Sequence, residues 1–159
     1  MDRKRLERTA YHEAGHAVVG YRFGHRFGEI SIKPDKRRLG YCRFLCNLDN
    51  PEHRILVLLA GHAAQKAYDP DDKSDPSVTD YRQVWCLSEG MPTGAYLEMF
   101  SKADRLVSEN MKHIQAIAEA LMECETLDGG VWADIIDAVD KGEDWKQSPS
   151  WIVTKEFHG

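Results

Sequence analysis

The first regular pattern along the chain is helical. Apolar side chains recur at steps of three and four residues over 6–21, and the pattern stops near Gly24. This spacing is typical of a helix with one buried face. Residues 29–33 then alternate between polar and apolar, and a second extended run covers 39–45. The two runs predict strands that are joined by a basic turn at 35–38.

Helical spacing returns in the second third of the chain. Pro51 suits the first turn of a helix, which the apolar pattern extends to about Tyr68. An aspartate-rich polar segment at 69–76 predicts a loop, and another helix is predicted over 78–87.

The strongest apolar stripe spans 106–122 and predicts one long helix that begins after the loop at 90–94 and closes near Asp128. A last helix is predicted over 131–140, and the tail from about residue 142 is predicted to be irregular. Together the segments predict an α+β fold, mainly helical with a small sheet.

Composition narrows the class of protein. The 159 residues, 42% of them hydrophobic, suit a single domain over 1–159. The longest apolar run, 55–60, is far shorter than the roughly 20 residues of a membrane span. The N-terminus has no apolar signal region, and the four cysteines include no C-x-x-C pair, so we expect a cytoplasmic protein with reduced thiols. A net charge of −5 argues against a nucleic-acid binder.

The first predicted helix carries an H-E-x-x-H motif at His12, Glu13 and His16. Residues four apart lie on one helical face, so both imidazoles can bind one zinc ion and the glutamate can reach a water beside it. The alternative is an exposed helix with two unrelated histidines. Gly15 argues against that alternative, because a glycine inside a helix costs about 1 kcal/mol and usually marks close backbone approach.

Several segments resemble one known family. Residues 9–19, TAYHEAGHAVV, resemble the zinc motif of the FtsH-type peptidases, the proteolytic half of membrane-bound AAA proteases. Further similarity, in the family's order, lies in its strand pair (29–34 and 39–41), its second helix (59–66) and its C-terminal signature (116–129). The resemblance implies a zincin-like zinc helix beside a small sheet.

The resemblance also implies a third zinc ligand. The family takes an aspartate from a helix after an acidic loop, and Asp80 lines up with it. The alternative role for Asp80 is that of a helix cap or dipole partner. Gln65 stands where the family usually carries glutamate and is a poor zinc ligand, whereas His62 stays open as a ligand. Thr9 or Asp75 are candidates to hydrogen-bond a ligand imidazole.

The implied activity is that of a Zn²⁺-dependent endopeptidase acting on unfolded or flexible polypeptides, with Glu13 as general base. The sequence contains no G-x-x-x-x-G-K-[ST] phosphate loop, so we expect any ATP-driven unfolding to come from a separate unfoldase. Family members work as rings, which leaves a homo-oligomer open. The alternative function is a catalytically silent, zinc-stabilised adaptor with the same fold. The second strand is predicted to bind substrate at its free edge, with Gly40 giving either close approach or a simple turn.

Overall fold

The structure, a computed structural model, describes residues 2–25, 27–44 and 49–158. In chain order its elements are helix α1 (Arg3–Arg22), strands β1 (Phe27–Ser31) and β2 (Tyr41–Phe44), helices α2 (Pro51–Tyr68), α3 (Val78–Leu87), α4 (Thr93–Glu109) and α5 (Met111–Cys124), strand β3 (Thr126–Leu127), helix α6 (Gly129–Asp140), a 3-10 turn (Trp145–Gln147) and helix α7 (Pro149–His158). The predicted α+β class, mainly helical with a small sheet, is confirmed. Within these ranges no helix is both long and apolar enough to cross a membrane.

The sheet is antiparallel, and its three described strands have the order β2-β1-β3. Ile30 lies at its centre, between Cys42 of β2 and Leu127 of β3. The order leaves β2 at an edge, as the sequence predicted. Strand β3 was not predicted. It follows directly from Glu125, whose left-handed φ of 58° ends α5 and turns the chain toward β1.

Helices α1 and α2 pack closely because small residues meet at their crossing. A Cβ atom on Gly15 would lie 2.5 Å from the carbonyl oxygen of Ala60 and 2.8 Å from Cβ of Ala64. No real Cβ atom has room there, which confirms close backbone approach as the reason for Gly15. The crossing holds the middle of α1, where the motif lies, against the middle of α2.

Two predicted elements are wrong. The long helix over the 106–122 stripe is two helices, α4 and α5, which meet at Asn110. The Asn110 amide donates to the Leu106 carbonyl oxygen at 2.8 Å and accepts a hydrogen bond from Arg22 at 2.8 Å. Its side chain therefore satisfies polar groups at the break, while apolar side chains on both helices keep facing the core.

The tail beyond residue 142 is not irregular. It forms the 3-10 turn and α7, because Trp145 and Trp151 are both buried and contact each other edge to face, with ring centroids 5.0 Å apart. The predicted strand at 29–33 begins and ends two residues earlier, as β1. The predicted strand at 39–45 is shorter, as β2, and its last residue, 45, lies outside the described residues.

Candidate metal centre

Helices α1 and α3 bring three ligand atoms together. His12 Nε2 and His16 Nε2 lie 3.0 Å and 3.3 Å from Oδ2 of Asp80, and 3.0 Å from each other. The two histidines are one turn apart on α1, and Asp80 is in the first turn of α3, where Ser77 caps the helix. In the part of the chain that the structure describes, no other three His, Cys, Asp or Glu side chains converge in this way.

The opposite ring nitrogens of both histidines are already engaged. His16 Nδ1 lies 2.7 Å from the Val57 carbonyl oxygen, and His12 Nδ1 lies 3.2 Å from Oε1 of Gln65. Both partners only accept, so each Nδ1 carries a proton and each Nε2 is the atom that can offer a lone pair to a metal. With both Nε2 atoms deprotonated, two nitrogen lone pairs and a carboxylate oxygen face one point, where a cation would be stabilised. This is the donor set of a catalytic zinc with a fourth position left open, so the residues fit that metal.

The pKa values of Asp80 and His16 are shifted because these side chains lie so close together. Burial opposes ionisation of Asp80, but the two imidazoles hold the pKa of its carboxyl far below the usual value. Burial alone would lower the pKa of His16, yet its hydrogen bond to Asp80 and the aspartate charge raise it to about 9. In the metal-free protein, a proton on His16 thus supplies positive charge beside the carboxylate of Asp80.

Gln65 orients the imidazole of His12. Its amide nitrogen donates to Oδ2 of Asp72 at 2.6 Å and to the Ser74 hydroxyl at 3.1 Å. An ionised carboxylate only accepts hydrogen bonds, so the amide NH₂ must face Asp72 and the amide oxygen must face His12. Burial opposes ionisation of Asp72, but the hydrogen bonds from Gln65 and Ser74, followed by the charge of Arg8, keep the pKa of its carboxyl at about 2.

Sequence reasoning missed this arrangement. It treats Gln65 only as a poor zinc ligand, whereas Gln65, held by Asp72, contacts Nδ1 of His12, the ring nitrogen that points away from the cluster. The predicted helpers do not contact the imidazoles: Thr9 Oγ1 donates to the Arg5 carbonyl oxygen at 3.1 Å, and Asp75 has no hydrogen bond to either histidine in the described structure. A signal was present, since a glutamine replaces the family's glutamate opposite an acidic loop.

Glu13 is buried beside the two histidines, with 6% of its surface exposed. Burial raises the pKa of its carboxyl, and the nearby imidazoles oppose that shift. A Cβ atom on Gly40 would lie 3.0 Å from Oε1 of Glu13 and 2.8 Å from the Ser31 carbonyl oxygen. A side chain at position 40 would meet these atoms, because the chain entering β2 passes close to Glu13. The role of Gly40 toward a substrate strand stays a prediction.

Gly61 on α2 makes room for the imidazoles. A Cβ atom there would lie 2.5 Å from Nε2 of His16 and 2.9 Å from Nε2 of His12. His62, the alternative ligand, is not part of the converging group; its ring faces Tyr81 edge-on, with centroids 6.0 Å apart. Burial lowers the pKa of the His62 imidazole.

An open cleft of about 790 Å³ leads to these groups. Its floor is formed by α1, one wall by the chain entering β2, and the other wall by the 74–80 segment and the start of α3. Cys42 on β2 lines this cleft, and burial raises the pKa of its thiol well above the usual value. Cys46, four residues further on, lies outside the described residues. The cleft therefore contains a buried carboxylate, the converging group of His12, His16 and Asp80, and residues of strand β2.

Comparison with known proteins finds relatives in one group of proteases. No family model matches the chain. It is 39% identical over 182 residues to the ATP-dependent zinc metalloprotease FtsH 3 of Symbiobacterium thermophilum, a match that covers 81% of this chain and 29% of that protein. It is 24% identical over 181 residues to FtsH of Neorickettsia risticii, with 81% and 28% covered.

A third match, to FtsH 1 of Rhodopirellula baltica, is 38% identical over 69 residues and covers 38% of this chain and 10% of that protein. The chain spans less than a third of the length of any of these three relatives. It is thus a distant relative of FtsH zinc metalloproteases, which supports a protease-related function and zinc at the level of the family.

Proposed function

We propose that the chain is a zinc-dependent endopeptidase that hydrolyses peptide bonds in unfolded or flexible polypeptides. The observation that carries the proposal is the convergence of His12 Nε2, His16 Nε2 and Asp80 Oδ2 while both Nδ1 atoms are engaged elsewhere. These three residues would hold the metal. Zinc bound there would polarise the scissile carbonyl and lower the pKa of a water molecule.

Glu13 is the proposed general base. It follows His12 directly on α1 and lines the same cleft, so its carboxylate can reach a water beside the two imidazoles. The carboxylate takes the proton as the water attacks the carbonyl carbon. The same carboxylic acid then gives the proton to the departing amine. Gly40 lies close to the carboxylate, since a Cβ atom there would be 3.0 Å from Oε1 of Glu13.

The edge of β2 is the proposed substrate cradle. Its other side pairs with β1, and the described residues place no further strand against it. An extended peptide can add to such an edge through backbone hydrogen bonds, which tolerate many side chains. Only an unfolded or flexible segment can lie extended along β2. We therefore propose that folded substrates need an ATP-dependent unfoldase, in keeping with the ATP-dependent relatives.

The test combines metal analysis with cleavage of an unfolded protein such as reduced casein. The purified protein should carry near one zinc per chain and cleave the substrate. Cleavage should stop when a chelator removes the metal. Glu13→Gln leaves the three ligands intact, so zinc content should stay and the rate should fall about 10²- to 10⁴-fold. A zinc-loaded parent that cleaves none of several unfolded proteins would refute the peptidase and favour the adaptor.

A further inference from the structure

The cleft is also lined with basic side chains that the proposed chemistry does not use. Arg5 and Arg8 come from the start of α1, and Arg37 and Arg38 come from the loop before β2. Four arginines thus line one cleft in a chain whose net charge is −5. Their two segments approach each other at Thr9, because a Cβ atom on Gly40 would lie 2.8 Å from its Cγ2. Their position is a property of the fold, since the two segments are about 30 residues apart in sequence.

Two of these arginines have no acidic partner. Arg8 and Arg38 each donate to an aspartate, at 2.8 Å and 3.2 Å. The guanidinium groups of Arg5 and Arg37 form no ion pair within the described ranges, and both side chains are exposed. Their charge is therefore available to a ligand in the cleft.

Three carboxylates also line the cleft. Glu13 and Asp80 are at the metal centre, and Asp75 precedes α3. In the described structure none of the three forms an ion pair with Arg5 or Arg37.

The helix sets the distance from Arg5 to the cluster. Arg5 precedes His12 by seven residues, two turns of α1, so the two lie on the same face about 10 Å apart along the axis. An extended peptide advances about 3.3 Å per residue. On a peptide that runs along α1, an acidic side chain would therefore meet Arg5 about three residues from the bond that lies beside the cluster.

We propose that Arg5 and Arg37 form a subsite for an acidic side chain, so that the cleft selects peptides with Asp or Glu about three residues to one side of the cleaved bond. This inference rests on the proposed peptidase function and names a substrate class for it. The edge of β2 holds the peptide backbone without regard to sequence, and the two arginines add a preference at one position. Because both guanidiniums are exposed, the preference is modest and sensitive to salt.

The experiment uses labelled peptides of one sequence that carry Glu, Gln or Lys at a single position, moved stepwise along the peptide. With wild-type protein at low salt, Glu three residues from the bond should raise kcat/KM about three- to tenfold over Gln, and Lys should lower it. The preference should appear on one side only and shrink toward unity near 1 M salt, where screening acts over about 3 Å. Binding of the same peptides to Glu13→Gln is measured by fluorescence anisotropy.

Charge reversal identifies the residues. The double variant Arg5→Glu, Arg37→Glu should reverse the order and prefer Lys over Glu. Arg105→Glu, on the exposed face of α4 outside the cleft, is the matched control and should keep the wild-type order. Circular dichroism confirms that each variant is folded.

The outcomes separate this inference from the peptidase proposal. Cleavage with equal kcat/KM for Glu, Gln and Lys peptides at every position would overturn the acidic subsite and leave the peptidase standing. No cleavage, but tighter anisotropy binding of the Glu peptide that the double variant reverses, would support the subsite and refute the peptidase. A Glu preference that survives charge reversal would also overturn the assignment to Arg5 and Arg37.

Discussion

A Cβ atom on Gly61 would lie 2.5 Å from Nε2 of His16, so the glycine on α2 and the histidine on α1 share one space. Gly→Ala inside a helix normally stabilises it by about 1 kcal/mol. Here the new methyl group must displace a buried ring, so Gly61→Ala should weaken zinc binding about tenfold or more, as measured by competition with a chromophoric chelator.

Gly94→Ala is the matched control, because Gly94 is also helical and a Cβ atom there would meet nothing within 4 Å. Its zinc affinity should equal that of the parent. Equal zinc affinity of Gly61→Ala and the parent would contradict the described position of the His16 ring.

The three converging side chains should differ in their effect on zinc. His12→Ala and His16→Ala should each lose most of the metal, since each removes a nitrogen donor. Asp80→Ala should weaken binding less, because both imidazoles remain. His62→Ala serves as control and should keep full zinc content by atomic emission. If Asp80→Ala kept its zinc while His62→Ala lost it, the third ligand would be His62.

Gln65 should act on zinc through His12. Gln65→Leu keeps the volume but removes the acceptor for Nδ1–H, so zinc affinity should fall about 10- to 100-fold. Asp72→Asn should cause a smaller loss, since an asparagine no longer forces the Gln65 amide to face one way. Histidine ¹⁵N chemical shifts of the metal-free protein report the His12 tautomer directly.

Gln83→Leu is the control for that series, because Gln83 lines the same cleft from α3 and has no described bond to either histidine. It should leave both zinc affinity and the tautomer unchanged. An unaltered His12 tautomer in Gln65→Leu would show that the hydrogen bond has no orienting role.

Proline on β2 should separate substrate binding from metal binding. Successive residues of a strand point their N–H groups to opposite sides, so of Tyr41 and Cys42 one donates toward β1 and the other outward. The outward-facing proline removes a donor that the substrate would use and should raise KM with zinc content unchanged. The other proline should lower the melting temperature. Two folded variants with the parental KM would refute edge binding.

A fifth prediction concerns acid stability. Asp140 accepts hydrogen bonds from both terminal nitrogens of Arg22, at 2.8 Å and 2.7 Å, and Arg22, followed by His113, keeps the pKa of its carboxyl at about 2. Because this pKa is below that of an unfolded aspartate, the stabilisation is present above about pH 4 and is lost as pH falls toward 2. The half-exposed pair is worth at most about 1 kcal/mol.

Urea unfolding of Asp140→Asn and the parent, both with a chelator, measures this contribution. The difference in free energy of unfolding should be largest at neutral pH and vanish near pH 2. Asp134→Asn, an exposed position on the same helix, should show no such dependence. A difference that stays constant with pH would contradict the ion pair.

Periodicity identified faces of elements better than their ends. The stripe over 106–122 predicts one helix because the apolar residues on both sides of Asn110 face the same core. Spacing records which side is buried and carries no information on whether the backbone hydrogen bonds continue. Strand β3 has two residues, too few for alternation, and depends on the left-handed turn at Glu125.

The residues of the site also differ in how well the sequence alone predicts them. His12 and His16 are placed together by helical geometry alone, which any sequence reading can use. Asp80, 64 residues beyond His16, needed the family resemblance to be chosen from several aspartates. Val57 could not be found from sequence, and Gln65 was marked only by its departure from the family's glutamate. The roles of both depend on which ring nitrogen faces them, and the packing of α1 on α2 determines that.

The contact between Gly15 and Ala60 has a consequence for how metal and core are coupled. His16 follows Gly15 on α1, and its Nδ1–H donates to α2 at Val57, one turn before Gly61. Any change that widens the α1–α2 crossing therefore also pulls His16 from its backbone acceptor. By thermodynamic linkage, zinc should tighten this helix pair as much as the tight crossing favours zinc. Replacing Ala64 with a bulkier residue should then lower the affinity for zinc, although position 64 is out of reach of the metal.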